Sequence, residues 1–157
     1  MNQTIERQLE ENGFYVSTTV GMSMWPMLRN RRDRIVLHPI EQGKRLSRFD
    51  LPLYRRRDGK YVLHRIIDVK DGYYVIRGDN TYIKEKVTDA QIIAVMSEFY
   101  RKGRHVTADS RGYRIYARFW NLIYPFRLVA HKIRTLVWRV MVKLHLKPKW
   151  SPYKGDI

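Results

Sequence analysis

Three polar side chains stand where extended stretches of this sequence end. Ser23 lies in Gly21-Met22-Ser23-Met24-Trp25-Pro26-Met27-Leu28, His64 in Val62-Leu63-His64-Arg65-Ile66, and Asp79 in Arg77-Gly78-Asp79-Asn80. A serine becomes a nucleophile only beside a base, and a histidine base works best when a carboxylate fixes its tautomer and stabilises its charged form. These are the parts of an acyl-transfer site, although their order along the chain decides nothing, since such triads occur in unrelated orders. The serine sits among thioethers, an indole and a proline. Serine favours turns because its hydroxyl competes for nearby backbone groups, and Pro26 fixes its own φ and drives Trp25 towards an extended conformation. The stretch therefore reads as a strand end running into a rigid turn. Each residue also has a purely structural role open to it: a loop serine beside an apolar plug, a strand histidine bonded to backbone, and an Asx-turn aspartate.

The wording around the three residues narrows the choice. Gly21 to Leu28 resembles the serine box of the type I signal peptidases and of their relatives, the self-cleaving SOS repressors, in which Ser-Met is followed by a variable residue and then Pro. His64-Arg65-Ile66 resembles the second box of the endoplasmic-reticulum and archaeal-type signal peptidases, which use histidine where typical bacterial ones use lysine. Gly78-Asp79-Asn80 resembles their third box, and the resemblance spans about residues 14–103.

It implies a coiled, mostly antiparallel β-fold with Ser23 as acyl-forming nucleophile and His64 as general base and later acid. The orienting carboxylate would be Asp79 or, six residues on, Glu85, whose structural alternative is a surface pair with Lys84 or Lys86. Bacterial signal peptidases carry an oxyanion-binding serine two residues before the nucleophile. Gly21 stands there in this chain, so the backbone N–H of Ser23 is expected to take that task. Asp33, in Arg32-Asp33, stands where the family has Gly-Asp and is expected to keep the turn without the glycine. Met22, Met24, Trp25, Pro26 and Met27 are expected to bind substrate, since a water-poor pocket strengthens each hydrogen bond to a developing oxyanion.

These residues need a frame. Thr4 to Glu11 reads as a short amphipathic helix stopped at Asn12-Gly13. Phe14 to Val20, Arg34 to His38, Tyr54 to Arg57, Tyr61 to Val69, Tyr73 to Arg77 and Ile92 to Tyr100 read as strands, with turns at Asp58-Gly59 and Asp71-Gly72. The expected fold class is mainly β: an N-terminal helix over 1–13, a peptidase-like β-domain over 14–103, and a basic amphipathic helical tail over 104–157.

In that tail, Arg111 to Lys149 holds ten Lys and Arg and no acidic residue. Phe126, Val129, Ile133, Leu136, Val137, Val140, Met141 and Leu144 recur at three- and four-residue steps, which predicts an amphipathic helix started or kinked at Pro125 and stopped at Pro148. Its apolar stripe either packs on the β-domain or meets an anionic membrane. For the second case the expected surface residues are Trp120, Arg127, Lys132, Arg134, Trp138, Arg139 and Lys143. Nucleic acid ranks last, because the apolar face is too wide for a helix devoted to phosphate contact.

The chain of 157 residues carries a formal charge of +16, which calls for an anionic partner, and it has no cysteine for a disulfide, thiolate metal site or thiol nucleophile. The histidines other than His64 lack ligand spacing with carboxylates, so neither metal nor cofactor is expected. No apolar run marks a leader or a spanning helix, which predicts a cytoplasmic protein, peripheral at the inner membrane face. The expected activity is that of a serine endopeptidase cutting a peptide or leader near a membrane. The alternatives are a non-catalytic interaction module of the same fold, and a basic nucleic-acid-associated regulator, against which Met1 to Gly13 is too short for a helix-turn-helix.

Overall fold

The computed structural model describes residues 5–41 and 43–144. Thr4, at the expected start of the first helix, and His145, Lys147, Pro148 and Lys149 of the basic tail lie outside the described residues. Helix α1 (Ile5–Asn12) turns Ile5 and Leu9 to one side, and Leu9 is buried in the core. The chain then runs through β1 (Tyr15–Thr18), the serine turn, β2 (Arg34–His38), β3 (Pro52–Arg55), β4 (Tyr61–Leu63), β5 (Arg65–Lys70), β6 (Tyr73–Arg77), β7 (Glu85–Val87), β8 (Ile92–Arg101) and β9 (Arg104–Thr107).

All strand pairs are antiparallel. The larger sheet runs β1-β2-β8-β3-β4, with β9 also paired to β8, and the smaller runs β5-β6-β7. The ten-residue β8 is the spine of the larger sheet, and its register shifts against both β2 and β3. Such bulges increase local twist, and the sheet curls into a half-barrel. The turns expected at Asp58-Gly59 and Asp71-Gly72 close the β3–β4 and β5–β6 hairpins.

Two expectations need correction. Among the described residues helix (31%) matches strand (32%), so the fold is mixed rather than mainly β; the difference lies in α2 (Arg111–Leu122) and α3 (Tyr124–Lys143), of 12 and 20 residues. The boundary expected at 103 also falls inside a hairpin, because β9 pairs with β8 from Glu98↔Thr107 to Arg101↔Arg104.

One core cluster joins α1, the serine turn and the larger sheet through Leu9, Met24, Met27, Leu28, Leu37 and Met96. Leu28 is 1% exposed, and burying such a side chain contributes about 1.5–3 kcal/mol. The other cluster lies between the sheets and joins Tyr54 of β3 to Ile66, Tyr74 and Ile76 of the smaller sheet. Helix α2, capped by Ser110, buries Tyr113 and Ala117, whereas no described residue of α3 is buried.

Candidate active site

Ser23 sits on the turn between β1 and β2, and that turn is fastened from several directions. Trp25 N–H donates to Met22 O (3.1 Å) and Leu28 N–H to Met24 O (2.9 Å), and the Trp25-Pro26 peptide is cis. From the end of β8, Arg101 donates to Pro26 O (2.6 Å) and Met27 O (3.0 Å). Gly21 holds φ at +99°, a conformation that costs glycine little. The buried Asp33 accepts from Arg29 N–H (2.8 Å) and from the Arg29 guanidinium (2.6 Å), so it keeps the turn without a preceding glycine.

The turn is also tied to the loop after β6. Asn80 N–H donates to Ser23 O (2.7 Å), and Asn80 Nδ2 donates to Met22 O (3.3 Å). A Cβ added to Gly78 would lie 2.8 Å from Ser23 O and 3.0 Å from His64 Nε2. Gly78 is thus the wall against which the serine turn and the imidazole both rest, and those two atoms lie within about 6 Å of each other. The Ser23 hydroxyl makes no hydrogen bond among the described residues, and Ser23 and His64 line one groove of about 700 Å³.

His64 is the single residue between β4 and β5, where the chain leaves one sheet for the other. It is buried, and its Nδ1 lies 3.3 Å from Tyr54 Oη and 3.4 Å from Glu85 Oε1. Burial pushes the imidazole pKa down to about 4; the Glu85 charge opposes this and the Arg56 charge adds to it. Glu85 opens β7 and accepts from Arg56 Nε (2.6 Å) and Nη2 (2.5 Å). Partial burial would raise its carboxyl pKa, but the hydrogen bonds from Arg56 and Tyr54 hold it below the ordinary value. The ring therefore has Nδ1 beside an ionised carboxylate and Nε2 on the side of Gly78 and the Ser23 turn.

Asp79 does not take that orienting position. Its two oxygens accept from Arg65 Nε and Nη2, both at 2.8 Å, and Oδ2 also accepts from Tyr116 Oη (3.2 Å). Arg65 and Asp79 are both buried, and Arg65 further donates to Phe49 O, Tyr113 Oη and Met27 Sδ. Of the two carboxylates weighed from sequence, Glu85 is the one at His64, and Asp79 anchors the loop that carries Gly78 and Asn80.

The expected substrate residues separate in the same way. Met22 and Met24 line the groove with Ser23, whereas Trp25 is exposed outside it and Met27 is buried under Arg65. Pro26 presents its carbonyl to Arg101 and does not line the groove.

The expected membrane residues also divide. Trp120 Nε1 and Arg127 Nη2 both donate to Asp79 O at 2.8 Å, and the Arg127 guanidinium lies 3.9 Å from the Trp120 ring centroid. These two serve the Asp79 loop rather than an outer surface. Trp138 is half-buried, on the face of α3 shared with His131 and Thr135, while Lys132, Arg134, Arg139 and Lys143 are exposed.

Sequence reasoning missed Tyr54, Arg56 and Arg65. Tyr54 and Arg56 read only as strand residues, and the tertiary fold alone brings them to His64 and Glu85. Arg65 did carry a signal, an arginine set in the apolar run Val62 to Ile67 and hence in need of a buried anion. No protein-family model and no curated protein matches this chain.

Proposed function

We propose that this chain is a serine endopeptidase of the signal-peptidase type, acting on an extended peptide through Ser23 and His64. The observation that carries the reading is the two-sided placement of His64, with Nδ1 on Glu85 and Tyr54 and Nε2 against the wall it shares with the Ser23 turn. In this mechanism Nε2 removes the Ser23 proton as Oγ attacks the peptide carbonyl. Glu85 stabilises the imidazolium, the Ser23 N–H donates to the oxyanion, and His64 returns the proton to the leaving amine. Water then repeats the sequence on the acyl-enzyme.

The groove supports a peptide substrate. It is lined by Ser17 and Thr18 of β1 and by Tyr61 and Val62 of β4, the two edge strands of the larger sheet. Edge strands leave backbone donors and acceptors unpaired, and an extended peptide satisfies them by lying alongside. Ile35, Leu53 and Ile83 give the groove an apolar floor suited to small or apolar side chains.

The direct test is covalent labelling with a fluorophosphonate probe, read by mass spectrometry of the peptide carrying Ser23. Labelling that disappears in Ser23→Ala and falls steeply in His64→Ala supports the peptidase. An unlabelled Ser23 in folded protein refutes it in favour of a non-catalytic module of the same fold, a reading favoured by the absence of a Ser23–His64 hydrogen bond.

A further inference from the structure

Helix α3 docks on the β-domain by the face opposite its apolar stripe. His131 stacks on Tyr82 at 4.1 Å between ring centroids, the Arg77 guanidinium lies 3.4 Å from the Tyr124 centroid, and Arg127 holds Asp79 O. Along the helix His131, Thr135, Trp138 and Val142 continue this half-buried face at helical spacing. Phe126, Val129, Ile133, Leu136, Val137, Val140 and Leu144 are all exposed, Phe126 by 78%. The stripe continues backwards in sequence through Leu122, Phe119 and Ile115 of α2, which are exposed as well.

A row of ten large apolar side chains in water is rare on a soluble monomer. Its flanks identify what covers it. By helical geometry Arg134 borders the stripe on one side and Lys132, Arg139 and Lys143 on the other, and no acidic residue occurs between Arg111 and Lys149. The surface that fits is apolar beneath and anionic on both sides, over the full length of a 20-residue helix. A second copy of the chain does not fit, because pairing two stripes would bring cationic flanks against cationic flanks. No described helix is long and apolar enough to cross a bilayer.

We infer that α3, with the exposed edge of α2, is an in-plane anchor that seats the protein on anionic lipid bilayers, with the β-domain held above the surface by the opposite helix face. This rests on the exposed stripe and its cationic borders, independently of any peptidase activity.

The experiment is flotation of the full chain with vesicles of phosphatidylcholine alone or mixed with phosphatidylglycerol, for wild type and for Phe126→Glu/Ile133→Glu/Val137→Glu. Wild type is expected to float with the mixed vesicles and at least about tenfold less with the neutral ones. The triple variant, folded by circular dichroism because these positions are exposed, is expected to stay behind. The chain has no native cysteine, so a polarity-sensitive dye can be placed singly at Val129→Cys or Thr135→Cys; only the former should shift to the blue on adding mixed vesicles. The inference is overturned if wild type does not float, if the triple variant floats equally, or if light scattering finds a dimer that the triple variant dissolves in the absence of flotation.

Discussion

Arg65 and Asp79 face each other with two hydrogen bonds of 2.8 Å, both side chains almost wholly withdrawn from water. Through the Asp79 loop this pair sets the position of Gly78 and Asn80, and through them the Ser23 carbonyl. Removing one partner leaves a buried unpaired charge, which costs about 3–5 kcal/mol, whereas replacing both with apolar groups of similar volume is far milder. Asp79→Leu is therefore expected to lower urea stability by several kcal/mol and Arg65→Met/Asp79→Leu by clearly less. Equal losses in the two proteins would show that the pairing is not the source of the effect.

Glu85 is expected to act on the reaction more than on the fold. Glu85→Gln keeps the shape but withdraws the charge opposite Nδ1, and turnover should fall by about 10²–10⁴-fold. Because Arg56 keeps a neutral acceptor and stays partly in water, the midpoint of urea unfolding should move little. An unchanged rate in Glu85→Gln would remove Glu85 from the mechanism.

The pH response follows from the buried imidazole. His64 titrates near 4 in the folded protein, chiefly because of burial, and near 6.5 when unfolded. Between those values the unfolded chain binds a proton that the folded chain refuses. Stability therefore rises with pH across this window and is lost as pH falls towards 4, by up to about 1.4 kcal/mol per pH unit. Urea titrations at pH 7 and pH 4.5 should show the loss, and His64→Gln should shrink it. The acid limb of kcat/KM should likewise lie near 4, well below that of an ordinary histidine.

Gly78→Ala tests the shared wall. The new methyl would sit 2.8 Å from Ser23 O, closer than carbon approaches a carbonyl oxygen, and 3.0 Å from His64 Nε2, a very tight contact. Overpacking of this kind costs about 1–3 kcal/mol, and the shift falls on the candidate nucleophile and base, so fluorophosphonate labelling of Ser23 should fall steeply even where the protein remains folded. Wild-type labelling in Gly78→Ala would contradict the geometry.

Trp120→Phe keeps an aromatic ring, though a smaller one, and removes the indole N–H that reaches Asp79 O. The loss of one such bond is worth about 0.5–1.5 kcal/mol. Arg127 donates to the same oxygen, so Trp120→Phe/Arg127→Met should destabilise by more than the two single changes added together. Hydrogen exchange at Asn80 N–H, which reports the tie to Ser23 O, should quicken most in the double variant.

Much of the frame was legible because it is encoded locally. Asp58-Gly59 and Asp71-Gly72 are turn pairs with one common use, and the three- and four-residue apolar steps from Phe126 to Leu144 admit only a helix. The strands β7 and β9 were not legible: Glu85-Lys86-Val87 and Arg104-His105-Val106-Thr107 are short and polar, and they are strands only because β6 and β8 lie beside them. The site was half legible for the same reason. Ser23 and His64 stand out by type and wording, but the choice between Asp79 and Glu85 depends on which carboxylate Arg65 claims. That is decided by register between β5 and β6, where Arg65 lies opposite Arg77.

His64 occupies the one-residue gap between β4 and β5, while Ser23 rides on the larger sheet and Glu85 on the smaller. The distance between hydroxyl and imidazole is therefore a gauge of how the two sheets are set against each other. Two ties hold that setting, Asn80 N–H on Ser23 O and Asn80 Nδ2 on Met22 O, which bind the serine turn of the larger sheet to the loop that follows β6 of the smaller. In the proposed mechanism, substitutions buried between the sheets, far from the groove, should therefore register as altered turnover.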